Sequence, residues 1–371
     1  MTDAPRRPPL HPAPVPLLID TDPGVDDAVA LLLALASPEV RLLGVTAVFG
    51  NVAVETAAAN ARRLLAVAGR ADVPVAAGAA RPLVGPRVPR DTDRHHEDGL
   101  GGRAETLPPP GPADPRGAVE LLADTLRGAD RPVTLAAIGP LTNVALLLAR
   151  HPELAERLAR IVVLGGQLGG QVSGQPAGQV SGQPAGQVSG QPAGQVSGQP
   201  VGQVSAQVDG PRGRLDAGPG PAAEFNLTAD PEAAHRVLAE ESVPVTLVPL
   251  ELTLRCAVSG GWLDELAAAG PTCATLAGLT AHRRAWVCRH GGGDAVPLHD
   301  VVAVLEAALP GTLRTEPRPL GVTLGPAGQR GAVWVAAEGR SRPVDVAVDL
   351  APGTDVPQLH AELLRRLRAL G

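Results

Sequence analysis

The chain predicts an α/β protein: an open, mainly parallel sheet flanked by helices, with extra strands and a helix at the C-terminal end. Three observations carry this expectation. Short apolar runs of strand length alternate with longer Ala/Leu-rich runs of helical length, the pattern of parallel strands joined by crossover helices. Hydrophobic residues make up 44% of the 371, enough for a substantial core. Asp20, Asn51, Ile138 and Gly165 all fall at carboxyl ends of expected strands, where ligands bind in open α/β sheets.

In chain order, Val15 to Ile19 is a short apolar strand, and an Ala/Leu-rich helix follows Asp27. Val40 to Phe49 reads as a strand, Val52 to Ala68 as a helix and Val73 to Ala77 as a short strand. Ala118 to Arg127 is helical, Val133 to Ile138 a strand, Leu141 to Arg150 a helix and Ile161 to Leu164 a strand. Ala233 to Glu240 is helical and Val245 to Leu250 a strand. Past Asp300 an apolar helix runs to Leu309. Shorter strands follow (Arg318 to Leu324, Gly331 to Ala337, Val344 to Leu350), then a last helix from Val356 to Leu370. The alternation is Rossmann-like, and the late strands belong on a sheet edge or side hairpin. One α/β domain over 15–371 is expected. It follows a loose Pro- and Arg-rich tail, residues 1–14, that lacks the apolar core of a signal peptide.

Four carboxylates, Asp20, Asp22, Asp26 and Asp27, fall within eight residues between the first strand and the first helix. Acids so close repel one another unless a cation or protons compensate. A hard divalent cation held by oxygen ligands suits them. Helix capping accounts for Asp26 and Asp27 in part, but not for Asp20 and Asp22 on the strand side. A calcium loop of the EF-hand type needs Gly at its sixth position and Glu at its twelfth, where this chain has Val25 and Leu31. A phosphatase of the haloacid dehalogenase type shares Asp-x-Asp after a first strand, but it needs a lysine, and this chain has none.

The net charge of −6 offers nothing to nucleic acid or an anionic membrane. No apolar stretch is long and clean enough to span a bilayer, so the cytoplasm is the expected location. Cys256, Cys273 and Cys288 lack Cys-x-x-Cys spacing; buried thiols are expected in place of a zinc site or disulfide framework. Tyrosine is absent.

The run Asp20-Thr-Asp-Pro-Gly-Val-Asp-Asp-Ala28 resembles the N-terminal signature of the inosine–uridine-preferring nucleoside hydrolases. Phe49-Gly-Asn51, Ala137-Ile-Gly-Pro-Leu-Thr-Asn143, Val162-Val-Leu-Gly-Gly166, Glu224-Phe-Asn226 and Pro297-Leu-His-Asp300 are similar to later segments of that family, in family order. The resemblance implies hydrolysis of the N-glycosidic bond of a ribonucleoside to ribose and free base. It implies Ca²⁺ held by Asp20, Asp27, Asp300 and the backbone carbonyl of Ile138, which suits a cation that takes six to eight oxygens. By the same resemblance Asp20 deprotonates the attacking water and His299 protonates the leaving base. Nearby carboxylates stabilise the positive charge that builds on the ribosyl ring. Asp26, Asn51, Glu224 and Asn226 hold the sugar, and His95 and Phe225 lie toward the base. His282, Arg283 and Trp286 fall on a helix where the family has base-contacting and lid residues. A homodimer or homotetramer is implied by analogy. Taken alone, His95 reads equally as an exposed loop histidine and His299 as a helix-start histidine.

Residues Gly170 to about Ser205 repeat the octapeptide Gly-Gln-Val-Ser-Gly-Gln-Pro-Ala. One Val and one Ala per unit cannot support a core, so a tolerated loop insertion is expected. Six residues before Glu224, where the family has an Asn that grips the ribose, stands Gly218. Either another residue supplies that contact or ribose binding is weakened. Two alternatives stay open on this ground: a hydrolase of another ribosyl substrate, and a catalytically impaired riboside-binding relative.

Overall fold

The computed structural model describes residues 13–88, 92–168, 224–240, 242–325, 329–339 and 341–371. Gly218 and the octapeptide run lie outside the described residues. Nine strands form one sheet: β1 (Val15–Thr21), β2 (Val40–Ala47), β3 (Val75–Ala77), β4 (Val133–Ala137), β5 (Leu158–Leu164), β6 (Val245–Val248), and later β9 (Leu313–Val322), β10 (Val333–Val335) and β11 (Pro343–Leu350). Their order is β10-β9-β11-β6-β5-β4-β1-β2-β3. All pairs from β3 through to β11 are parallel, and β9 and β10 add antiparallel pairs at the edge. The late strands thus extend the main sheet. A separate short ladder joins β7 (Val258–Ser259) to β8 (Ala295–Val296).

The order positions the site. From β1 the chain winds one way through β2 and β3, and the other way from β4 to β6. The reversal leaves a crevice outside the carboxyl ends of β1 and β4, the topological switch point.

Period-2 alternation divides the strands between two core layers. Leu17 and Ile19 of β1, Ala136 of β4 and Val162 and Leu164 of β5 join one layer. Leu18, Leu135, Ala137, Ile161 and Val163 join the other. A parallel sheet covered on both faces requires this. Helix α1 (Val25–Ala36) is buried nearly all round. It packs against α2 (Val54–Val67), α10 (Pro271–Arg289), α11 (His299–Ala308) and α12 (Val356–Leu367). That is why its sequence is apolar on every face instead of striped. Its fully buried Leu31, Leu32 and Leu33 each contribute about 1.5–3 kcal/mol. The remaining α-helices among the described residues are α3 (Thr92–His95), α4 (Ala118–Gly128), α5 (Thr142–Arg150), α6 (Phe225–Ala229), α7 (Pro231–His235), α8 (Leu250–Arg255) and α9 (Gly260–Ala267).

Three expectations change. The strand expected to reach Leu250 stops at Val248: Pro249 has no N–H for the ladder and becomes the N-cap of α8. The strand expected from Arg318 begins at Leu313, because β11 pairs along its whole length despite Pro317 and Pro319. Cys256 and Cys273 are buried as expected, but Cys288, near the end of α10, is exposed. No helix among the described residues is long and apolar enough to cross a membrane.

Candidate active site

Strand β1, the turn after it and the first turn of α1 carry all four N-terminal acids, each buried, beside the switch-point crevice. Asp20 sits within β1, opposite Thr46 of β2 and Ala137 of β4. Its Oδ1 accepts hydrogen bonds from the Thr46 hydroxyl at 2.5 Å and Asn143 Nδ2 at 2.8 Å. Asn143, on the first turn of α5, also donates to the Ala47 carbonyl at 3.0 Å and accepts from the Ala79 N–H at 2.9 Å. Asp20 therefore braces β2 and α5. Burial, opposed by these two hydrogen bonds, pushes its pKa up to about 7. No acidic neighbour enters that balance.

Asp22 is placed differently. Its Oδ2 accepts from the Asn51 N–H at 2.7 Å, while its Oδ1 is buried without a hydrogen-bond partner among the described residues. Two glycines permit the fit: a Cβ on Gly50 would collide with the Asp22 carboxylate, and one on Gly139 would come within 2.7 Å of Oδ1. Burial first, then the charges of Asp27 and Asp26, hold its carboxyl well above the usual range.

Asp27 closes the first turn of α1. Its Oδ1 accepts from the Thr21 hydroxyl at 2.5 Å; its Oδ2 accepts from the Gly24 N–H at 2.8 Å and from Asn51 Nδ2 at 3.4 Å. Burial and the neighbouring Asp26 raise it to about 6. Asp300 enters from the first turn of α11. Asp26, Asp27 and Asp300 each place a carboxylate oxygen within 4.8 Å of the others. Burial, then Asp26, Asp27 and Asp22, push Asp300 well above the usual range. The donor set is all oxygen, buried and over-charged, and a hard divalent cation fits it.

The cleft above encloses about 600 Å³ of space continuous with solvent. Of the residues expected in the site, Asp26, Asn51, His95, Ile138, Glu224, Phe225, Asn226, His299 and Asp300 line it, and Asp20 and Asp27 do not. The Ile138 carbonyl accepts from Asn226 Nδ2 at 3.0 Å. Glu224 is the N-cap of α6: its Oε1 accepts from the Asn226 N–H at 2.7 Å, and its Oε2 from the Leu227 and Gly166 N–H groups at 3.1 and 3.2 Å. Burial still raises its carboxyl above the ordinary value. His95 Nδ1 accepts from the Val25 N–H at 3.2 Å and lies 3.8 Å from Asp26 Oδ1. A neutral His95 ring therefore carries its proton on Nε2. His299 Nδ1 meets the Thr253 hydroxyl at 2.7 Å.

Trp286 is buried and does not line the cleft; Arg94 and Arg283 each cover its ring at 5.3 Å. Phe225 lines the cleft, with the imidazoles of His95 and His299. His282 Nε2 holds the Asp93 carbonyl at 2.8 Å, tying α3 to α10. The sequence reading does not single out Thr46, Asn143, Thr253 or the cleft-lining Arg94. Only Asn143 carries a signal, as the last residue of the segment Ala137 to Asn143.

Fold and site together define an α/β protein that gathers buried carboxylates at the switch point of a mainly parallel sheet. The model of the inosine–uridine preferring nucleoside hydrolase family matches residues 17–359, and the chain belongs to that family. It is by that membership a hydrolase of N-glycosyl compounds. The chain is 34% identical over 317 residues to the pyrimidine-specific ribonucleoside hydrolase RihA of Salmonella agona, covering 83% of this chain and 84% of that protein. It is 35% identical over 313 residues to RihA of an Enterobacter strain, covering 83% of each. A solved plant nucleoside hydrolase matches with a TM-score of 0.76 at 26% identity, over 95% of this chain and 99% of that one.

Proposed function

We propose that this chain hydrolyses the N-glycosidic bond of ribonucleosides to ribose and free base with a resident Ca²⁺. The observation that carries the reading is the buried acid cluster: Asp26, Asp27 and Asp300 lie within 4.8 Å of one another, Asp22 shares their charge, and Asp26 and Asp300 line the cleft. Asp22, Asp27, Asp300 and the Ile138 carbonyl would hold the ion. When bound, it would supply charge compensation for the acids and a more acidic water. Asp22 takes the part that the sequence expectation gives to Asp20, because Asp22 shares charge with Asp26, Asp27 and Asp300 and Asp20 does not.

The chain's own groups do the rest. Asp22 Oδ1, buried and without a hydrogen-bond partner among the described residues, accepts the proton of the attacking water. Asp26, Asn51, Glu224 and Asn226 hold the ribose hydroxyls, and Phe225 packs on the base. His95 presents Nε2–H to the substrate, and His299 gives a proton to the leaving base. The RihA relatives are named pyrimidine-specific, so uridine and cytidine are expected to lead.

The test is ribose release from uridine, cytidine, inosine, adenosine and nitrophenyl riboside, with Ca²⁺ and after its removal. Release that stops on removal is expected. Undiminished release without the ion would refute its part. A folded, Ca²⁺-loaded protein inert to every riboside would refute the substrate class.

A further inference from the structure

Thr253 is fully buried on α8 and belongs to none of the expected site residues. Its Oγ1 stands 2.7 Å from His299 Nδ1 and 3.2 Å from the Leu250 carbonyl. A hydroxyl has one proton, and a carbonyl can only accept. With that proton on the Leu250 carbonyl, Oγ1 turns a lone pair to His299 and takes a hydrogen bond from Nδ1–H. In that arrangement a relay runs from His299 Nδ1 through Thr253 Oγ1 to Leu250. Thr253 thereby occupies Nδ1, and Nε2 is the nitrogen through which His299 addresses the cleft that it lines.

We propose that Thr253 is the positioning residue of His299: its hydroxyl fixes the imidazole ring and its tautomer so that Nε2 meets the leaving base. The inference rests on His299 being the proton donor proposed above. It adds a reason why the transfer is easy. The Nδ1–H bond to Thr253 is the same before and after Nε2 gives up its proton, so the ring neither turns nor changes tautomer during the step. Partners that hold the other ring nitrogen of metal-bound histidines are worth about 10–100-fold, and a proton-donating histidine is expected to respond on the same scale.

The test uses the Ca²⁺-loaded full chain. Thr253→Val keeps the shape and removes the hydroxyl; Thr253→Ser keeps the hydroxyl. On uridine, Thr253→Val is expected to lower kcat about 10–100-fold, while Thr253→Ser stays near wild type. On nitrophenyl riboside, whose leaving group needs no proton, Thr253→Val should stay within about threefold. Equal losses on both substrates, or full uridine turnover in Thr253→Val, would overturn the proposal. Nitrogen NMR of His299 in the wild-type chain gives a readout independent of turnover and of the variant's folding. The neutral ring should be protonated at Nδ1, and an Nε2-protonated ring would overturn it. If no riboside is cleaved but the Nδ1 tautomer is found and lost in Thr253→Val, the functional reading fails and the positioning stands.

Discussion

Removing the proposed cation should expose a pH dependence of folding opposite to that of ordinary surface carboxylates. A carboxyl whose pKa is higher folded than unfolded binds more protons in the folded chain, so stability falls as pH rises from the unfolded value through the folded one. Asp20 rises from 3.8 to about 7 through burial, and Asp27 to about 6 through burial and Asp26. Asp22, Asp300 and Glu224 shift in the same direction. At about 1.4 kcal/mol for each tenfold, the rise of Asp20 alone is worth roughly 4 kcal/mol, of which roughly 3 falls between pH 5 and 8.5. That is a large share of a typical folding free energy of about 5–15 kcal/mol. Carboxylates held low by arginine, such as Glu39 by Arg366, Asp114 by Arg116 and Asp130 by Arg41, do not interfere. Their contribution is complete above about pH 5 and is lost only at lower pH.

Urea unfolding of ion-stripped protein at pH 5 and pH 8.5 measures the effect. The folding free energy should be lower at pH 8.5 by roughly 3 kcal/mol or more. Calcium at a hundredfold excess over its Kd should add about 2.7 kcal/mol at pH 8.5. It should add less at pH 5, where protons compete for Asp27 and Asp300. A stripped protein equally stable at both pH values, or calcium that stabilises no more at pH 8.5 than at pH 5, would refute the reasoning.

Four substitutions test the residues one at a time. Asp22→Asn should lower kcat by about 10²–10⁴-fold and Asp20→Asn by less; the reverse ranking in steady-state assays returns the base role to Asp20. His299→Ala should cut uridine turnover by about 10²–10⁴-fold yet leave nitrophenyl riboside within about tenfold, and parallel losses would rule out proton donation. Asn143→Ala removes a donor from Asp20 Oδ1 and leaves the Ala79 N–H without its acceptor. It should cost about 2–4 kcal/mol in urea unfolding, and a change under about 0.5 kcal/mol would show that the network is dispensable.

The strand–helix alternation was legible because its elements are buried on both faces and so written in apolar residues. Helix α10 was harder to read for the opposite reason. Its buried positions run Cys273, Leu276, Leu279, Thr280, Arg283, Trp286 and Val287, and the polar members break the apolar stripe that would announce it. The ladder of β7 and β8 is two residues a side, too short for any alternation to register. The contact of Thr253 with His299 joins α8 to α11 across 46 positions and leaves no local mark.

The placement of Asp20 and Asp22 shows where spacing stops being informative. Side chains two apart on a strand share a face. Sequence alone therefore puts both carboxylates on the same side of β1 and cannot rank them. The ranking comes from what each meets in space. Asp20 lies opposite Thr46 and within reach of Asn143, and these two donors occupy one oxygen and tie it to the scaffold. Asp22 lies one step beyond the strand, where Gly50 and Gly139 leave room only for its carboxylate and Asn51 links it to Asp27 through a backbone N–H and a side-chain amide. Small residues that admit the acid, and an amide shared with a neighbouring acid, are what place Asp22 in the charged group. Both come from segments distant in sequence, so the distinction exists only once the sheet has formed.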